Sequence, residues 1–81
     1  MKLESIIKAL REKLYEEWRN KTSVLLDYEK ENKLNHAFLV RNELSGYLKA
    51  LADVALSLKD DDLHEDCWTL NTVLIFIHSR Q

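Results

Sequence analysis

A chain of 81 residues that is 46% hydrophobic and 32% charged, with one glycine, no proline, one cysteine and a formal net charge of −2, has room for one domain and no more. Turn-forming residues are too scarce for a β-sandwich or barrel, which needs a turn every ~8–12 residues, and apolar content is too high for a disordered chain. What is left is a small all-α domain, built from three helices, whose composition tells more about construction than about activity.

The first helix is predicted over about residues 2–31. Leu3, Ile7, Leu10 and Leu14 recur at helical spacing, and the stripe then shifts by one residue to Trp18, Thr22 and Leu25. Ile6, Tyr15, Val24 and Leu26 lie off that stripe and suggest a wider apolar arc than a coiled-coil seam. Glu4 with Lys8, Lys13 with Glu17, Glu17 with Lys21 and Glu29 with Lys33 stand four apart, the spacing at which opposite charges support a wet helix face. The break after this helix, Glu31-Asn32-Lys33-Leu34-Asn35, assigns Asn32 to the left-handed end of the first helix and Asn35 to the cap of the next. With no glycine or proline there, one helix running straight through is the competing expectation.

A second helix is predicted over about residues 36–58, on the seam Ala37, Arg41, Leu44, Leu48, Leu51, Ala55 and Leu58, flanked by Phe38, Val40, Tyr47 and Val54. Few charges interrupt it, so it should be the most buried of the three. Gly46 with Ala50, and Ala52 with Ala55, offer small faces for a close helix crossing. The acidic run Asp60-Asp61-Asp62 then punctuates the chain. Asp62 followed by Glu65 fits a capping box, and the third helix is expected over about residues 63–78 through Leu63, Cys67, Leu70, Leu74 and Ile77, widened by Trp68, Val73, Ile75 and Phe76. Five β-branched residues between Thr69 and Ile77 favour a strand on propensity alone, but a lone strand would find nothing to pair with.

Length adds a geometric argument. A first helix of about 30 residues measures ~45 Å, against ~30 Å for the diameter of a compact domain of this size. Either that helix bends near Thr22-Ser23, whose hydroxyls compete for backbone carbonyls, or its apolar end meets another chain. The greasy stretch Val73–Ile77 points to the same conclusion, a helical homodimer or higher oligomer.

Chemical equipment is sparse. His64 and Cys67, three apart, could supply two metal ligands where zinc wants four, or three and water; an acidic helix cap with Cys67 as a small core residue is the simpler account. Counted from Asp60, the sixth and twelfth positions of a calcium loop hold Glu65 and Asn71 in place of glycine and glutamate. No glutamate is followed three residues later by histidine, glutamate or aspartate, so the carboxylate-bridged di-metal and magnesium-dependent pyrophosphohydrolase patterns are missing. One glycine cannot make a phosphate loop. A thiol nucleophile built from Cys67 with His64 or His78 is disfavoured against structural roles. No catalytic residue, cofactor or metal is therefore expected. Residues 1–33 hold eight basic and seven acidic side chains, 34–59 three and two, and 60–81 one and five, which disfavours nucleic acid as a partner and confines the acidity to the last segment. The longest apolar run is five residues, far from the ~20 of a membrane span, and charge interrupts the N-terminal segment where a secretory signal would lie. With a single cysteine, the reduced cytoplasm is the expected location.

Function is then expected to lie in contact with itself and with another protein, as an assembly factor, adaptor or inhibitor of the size common among phage and mobile-element accessory proteins. The alternative is a small nucleic-acid-associated regulator using the charged face of the first helix. Candidate contact residues are Tyr15 and Trp18 on the first helix and Trp68 and Phe76 on the third, because aromatics concentrate binding energy. Arg41, a charge set in an apolar seam, is expected either to reach water or to form a buried ion pair with another helix or chain.

Overall fold

The computed structural model describes residues 2–79, and of residues 77–79 the backbone alone. Three helices account for it: α1 (Lys2–Lys30), α2 (Leu34–Ser57) and α3 (Asp61–Ser79), with no strand among the described residues. The β-branched stretch from Thr69 is helical, so position in a helical chain outweighs local propensity there. The side chains of Ile77 and His78, one expected on the seam and the other weighed as a thiol's partner, lie outside the described residues.

Both breaks are built the same way, and neither uses glycine. After α1, Asn32 adopts φ 62°, its N–H donates to the Glu29 carbonyl (3.1 Å), and the Lys33 N–H donates to the Tyr28 carbonyl (2.8 Å). After α2, Lys59 adopts φ 58°, with the Lys59 N–H on Leu56 (3.1 Å) and the Asp60 N–H on Ala55 (3.0 Å). These are Schellman ends, in which one left-handed residue lets two N–H groups satisfy otherwise orphaned carbonyls. Asn32 takes the expected role and the helix does not run through. Asn35 does not cap: α2 already begins at Leu34, its Ala37 N–H donating to the Lys33 carbonyl at 3.0 Å. The cap of α3 is likewise Asp60 rather than Asp62. Its carboxylate accepts the Leu63 N–H at 2.8 Å, which starts the helix two residues early and leaves Asp61 and Asp62 in the first turn, at the positive end of the dipole.

The chain divides into two compact units, Met1–Leu44 and Ser45–Gln81, and α2 runs through the boundary. In the first unit, α1 folds back antiparallel on the start of α2, with Leu14, Leu25, Ala37 and Leu44 buried. Contacts between the two helices run in opposite directions along the chain: the Tyr28 and His36 rings lie 5.2 Å apart, Glu29 meets Arg41, and Lys21 meets Glu43. Ile6, Tyr15, Val24 and Leu26 are exposed, and on the expected seam Leu3 is exposed too while Ile7, Leu10, Trp18 and Thr22 are half-buried, which leaves Leu14 and Leu25 as the buried part of α1. The Thr22 hydroxyl does donate to the Trp18 carbonyl, at 2.7 Å, yet α1 remains unbroken.

In the second unit, the rest of α2 and α3 bury Leu48, Leu51, Ala52, Ala55, Leu63, Cys67 and Leu74, together with the polar Asn71. Of the eleven buried apolar residues described, six belong to α2, which is the most buried helix as its composition suggested. Leu14, Leu25, Leu44, Leu48, Leu63 and Leu74 are fully buried, each worth about 1.5–3 kcal/mol, well above the exposed ion pairs at under ~1 kcal/mol. Small residues matter at Ala52 and Ala55, which are buried. Gly46 and Ala50 are exposed, and a Cβ added at Gly46 would meet nothing within 4 Å, so the glycine marks no close crossing.

Candidate functional site

The acidic end of α3 and its apolar continuation form one outer face. Helical periodicity sends Leu63, Cys67, Asn71 and Leu74 inward, which turns Trp68, Val73, Ile75 and Phe76 outward at 42%, 40%, 59% and 65% exposure. From Cys67 to Ile77 the sequence contains no charged residue, whereas Asp61, Asp62, Glu65 and Asp66 crowd the first two turns. The Trp68 indole N–H donates to His64 Nε2 at 3.1 Å, with the two rings edge to face at 6.3 Å. That contact holds the indole against its own helix and occupies one imidazole nitrogen. Cys67 is buried beside it, so His64 and Cys67 do not present a common pair of ligands to solvent, and no group of three or more metal-binding side chains occurs among the described residues. At the α2–α3 turn, Lys59, Asp60, Asp61 and Asp62 line an open depression, with Asp60 already spent on the helix cap.

Arg41 is the buried ion pair rather than the arginine that reaches water. Its Nη2 lies 3.3 Å from Glu29 Oε2, the two side chains being 12% and 6% exposed, while Arg41 Nε and Glu29 Oε1 are buried without a hydrogen-bond partner. Glu29 is therefore not the partner of Lys33, which instead bridges Glu31 at 3.3 Å. The sequence did contain the signal: Glu29 continues the Trp18, Thr22, Leu25 stripe by one more step of four. A second such residue is Asn71, buried where Leu70 was expected, its Oδ1 accepting from the Ser45 hydroxyl at 3.0 Å. Cys67 and Leu74 bracket both positions at helical spacing, so periodicity alone could not separate them.

The remaining candidates scatter. Tyr15 is exposed and Trp18 half-buried on α1 in the first unit, whereas Trp68 and Phe76 belong to the second. On α1, Lys13 lies 3.3 Å from Glu17, and Lys21 Nζ lies 2.7 Å from Glu43 Oε1. Hydrogen bonding to Glu43 raises the Lys21 pKa above its ordinary 10.5, against a lowering by burial and with support from the charges of Glu43 and Glu17. Comparison with protein-family models, with curated proteins and with solved structures returned no match.

Proposed function

We propose that this chain is a small protein–protein interaction module without enzymatic chemistry, working as a helical homo-oligomer and serving as an assembly factor, adaptor or inhibitor of a larger partner. The observation that carries this reading is the outer face of α3. Four large apolar side chains, Trp68, Val73, Ile75 and Phe76, stand 40–65% exposed on consecutive turns of a segment free of charge. Isolated apolar residues on a surface are ordinary, but a contiguous patch beside a polar rim marks contact surfaces. The length of α1 adds support: its 29 residues span ~44 Å while only Leu14 and Leu25 along it are fully buried.

Sedimentation equilibrium across a tenfold dilution tests the reading. The full chain should show a concentration-dependent mass above 9.6 kDa, and the double variant Ile75→Asp with Phe76→Asp should weaken that association while keeping its helical circular dichroism. A uniform 9.6 kDa species at the highest concentration would remove the homo-oligomer.

A further inference from the structure

The two turns share one backbone design but lead into helix starts of unequal quality. The α2–α3 turn hands the chain to a well-made start, with the Asp60 carboxylate on the Leu63 N–H and Asp61 and Asp62 in the first turn. The α1–α2 turn does not. The residue preceding α2 is Lys33, whose side chain has no acceptor to offer, and the first turn of α2 contains no acidic residue. Its Asn32 meanwhile occupies a left-handed conformation that a non-glycine residue adopts at a cost. Nothing in Glu31-Asn32-Lys33-Leu34-Asn35 forbids helix, and continuing the helix would give the N–H groups of Leu34, Asn35 and His36 the carbonyls of Lys30, Glu31 and Asn32.

We propose that Glu31–Lys33 is a hinge through which two copies of this chain exchange α1, each copy running α1 and α2 as one continuous helix. The contacts that close the first unit, Lys21 with Glu43 and Glu29 with Arg41 around Leu25, Ala37 and Leu44, are then made between copies instead of within one. A second copy also fits the surface around the hinge. Leu26, Leu34 and Phe38 stand 53–56% exposed within about two helical turns of Asn32, and on a continuous helix they share an arc of about 120° that a crossing second helix covers. The exchange rests on the homo-oligomer reading above and adds to it a contact between copies made by α1 and α2, separate from the α3 face.

Two measurements on the full chain test it. By sedimentation equilibrium, Asn32→Ala should tighten dimerisation and Asn32→Gly should weaken it, the two constants differing roughly a thousandfold, from the alanine–glycine helix-propensity difference and a left-handed penalty of similar size at each of two hinges. By native mass spectrometry, a Lys21→Glu chain mixed and refolded with a mass-tagged Glu43→Lys chain should form heterodimer above the statistical half, because only exchange sets unlike charges against each other. Equal dimerisation of the two Asn32 variants with statistical mixing overturns the exchange and leaves the α3 docking reading standing. A chain monomeric at every concentration overturns both.

Discussion

Replacing Gly46 by alanine adds one methyl group at a position in the middle of α2 where the added carbon meets nothing within 4 Å and the backbone needs no left-handed angle. No packing is gained or lost, so the effect reduces to backbone entropy and helix propensity. Alanine is favoured over glycine in an exposed helix interior by about 0.8–1.0 kcal/mol. For a domain of 60–100 residues each kcal/mol moves the melting temperature by ~4–8 °C, so Gly46→Ala should raise it by several degrees. Thermal unfolding at low chain concentration, followed by far-ultraviolet circular dichroism and by tryptophan fluorescence, measures the change. Trp18 lies in the first unit and Trp68 in the second, so single-tryptophan variants follow each unit in turn. Ala50→Gly, one turn on and also exposed, is the control and should lower stability by a similar amount. An unchanged or lower melting temperature for Gly46→Ala would refute the reasoning, because it would require another surface to approach the glycine closely.

The caps and charges give four further expected outcomes. Lys59→Gly relieves a left-handed lysine and should stabilise by about 1 kcal/mol in urea titrations. Asp60→Ala removes the α3 cap and should cost about 0.5–2 kcal/mol, whereas Asp62→Ala, which makes no cap, should cost less than ~1 kcal/mol by the same measurement. Arg41→Met leaves the Glu29 carboxylate buried and unpaired and should cost about 3–5 kcal/mol, while the double change Glu29→Leu with Arg41→Leu should recover most or all of it. The Lys21 pKa is raised in the folded chain, so the stabilisation it brings is complete below its unfolded value of 10.5 and is lost as pH rises through the higher folded value; the difference in urea midpoint between the natural chain and Glu43→Gln should therefore vanish at strongly alkaline pH.

Three helices and the centre of each inward stripe were legible in the residues alone, because periodicity is a local property and a chain with one glycine and no proline leaves few other options; Leu3 at the start of the first stripe is exposed. Leu14 and Leu25 on α1, the α2 seam from Ala37 to Ala55, and Leu63, Cys67 and Leu74 on α3 are all buried where their spacing put them. Asn32 was readable for a local reason too, since asparagine tolerates the left-handed turn better than its neighbours. What needed the tertiary structure was every choice among partners. Glu29 has Lys33 four residues away yet pairs with Arg41 across the hairpin, because burial strengthens an attraction that solvent would screen. Asn71 displaces Leu70 from the interior because Ser45 on the facing helix can donate to it. Gly46 and Ala50 face solvent while Ala52 and Ala55 are covered, a distinction set by how the neighbouring helix is rotated and invisible in a run of small residues. Asp60 wins the cap from Asp62 because the preceding Schellman turn brings its carboxylate to the Leu63 N–H first. Local spacing thus decides what folds into a helix and which side turns inward, and the neighbour's geometry decides which atoms on that side find each other.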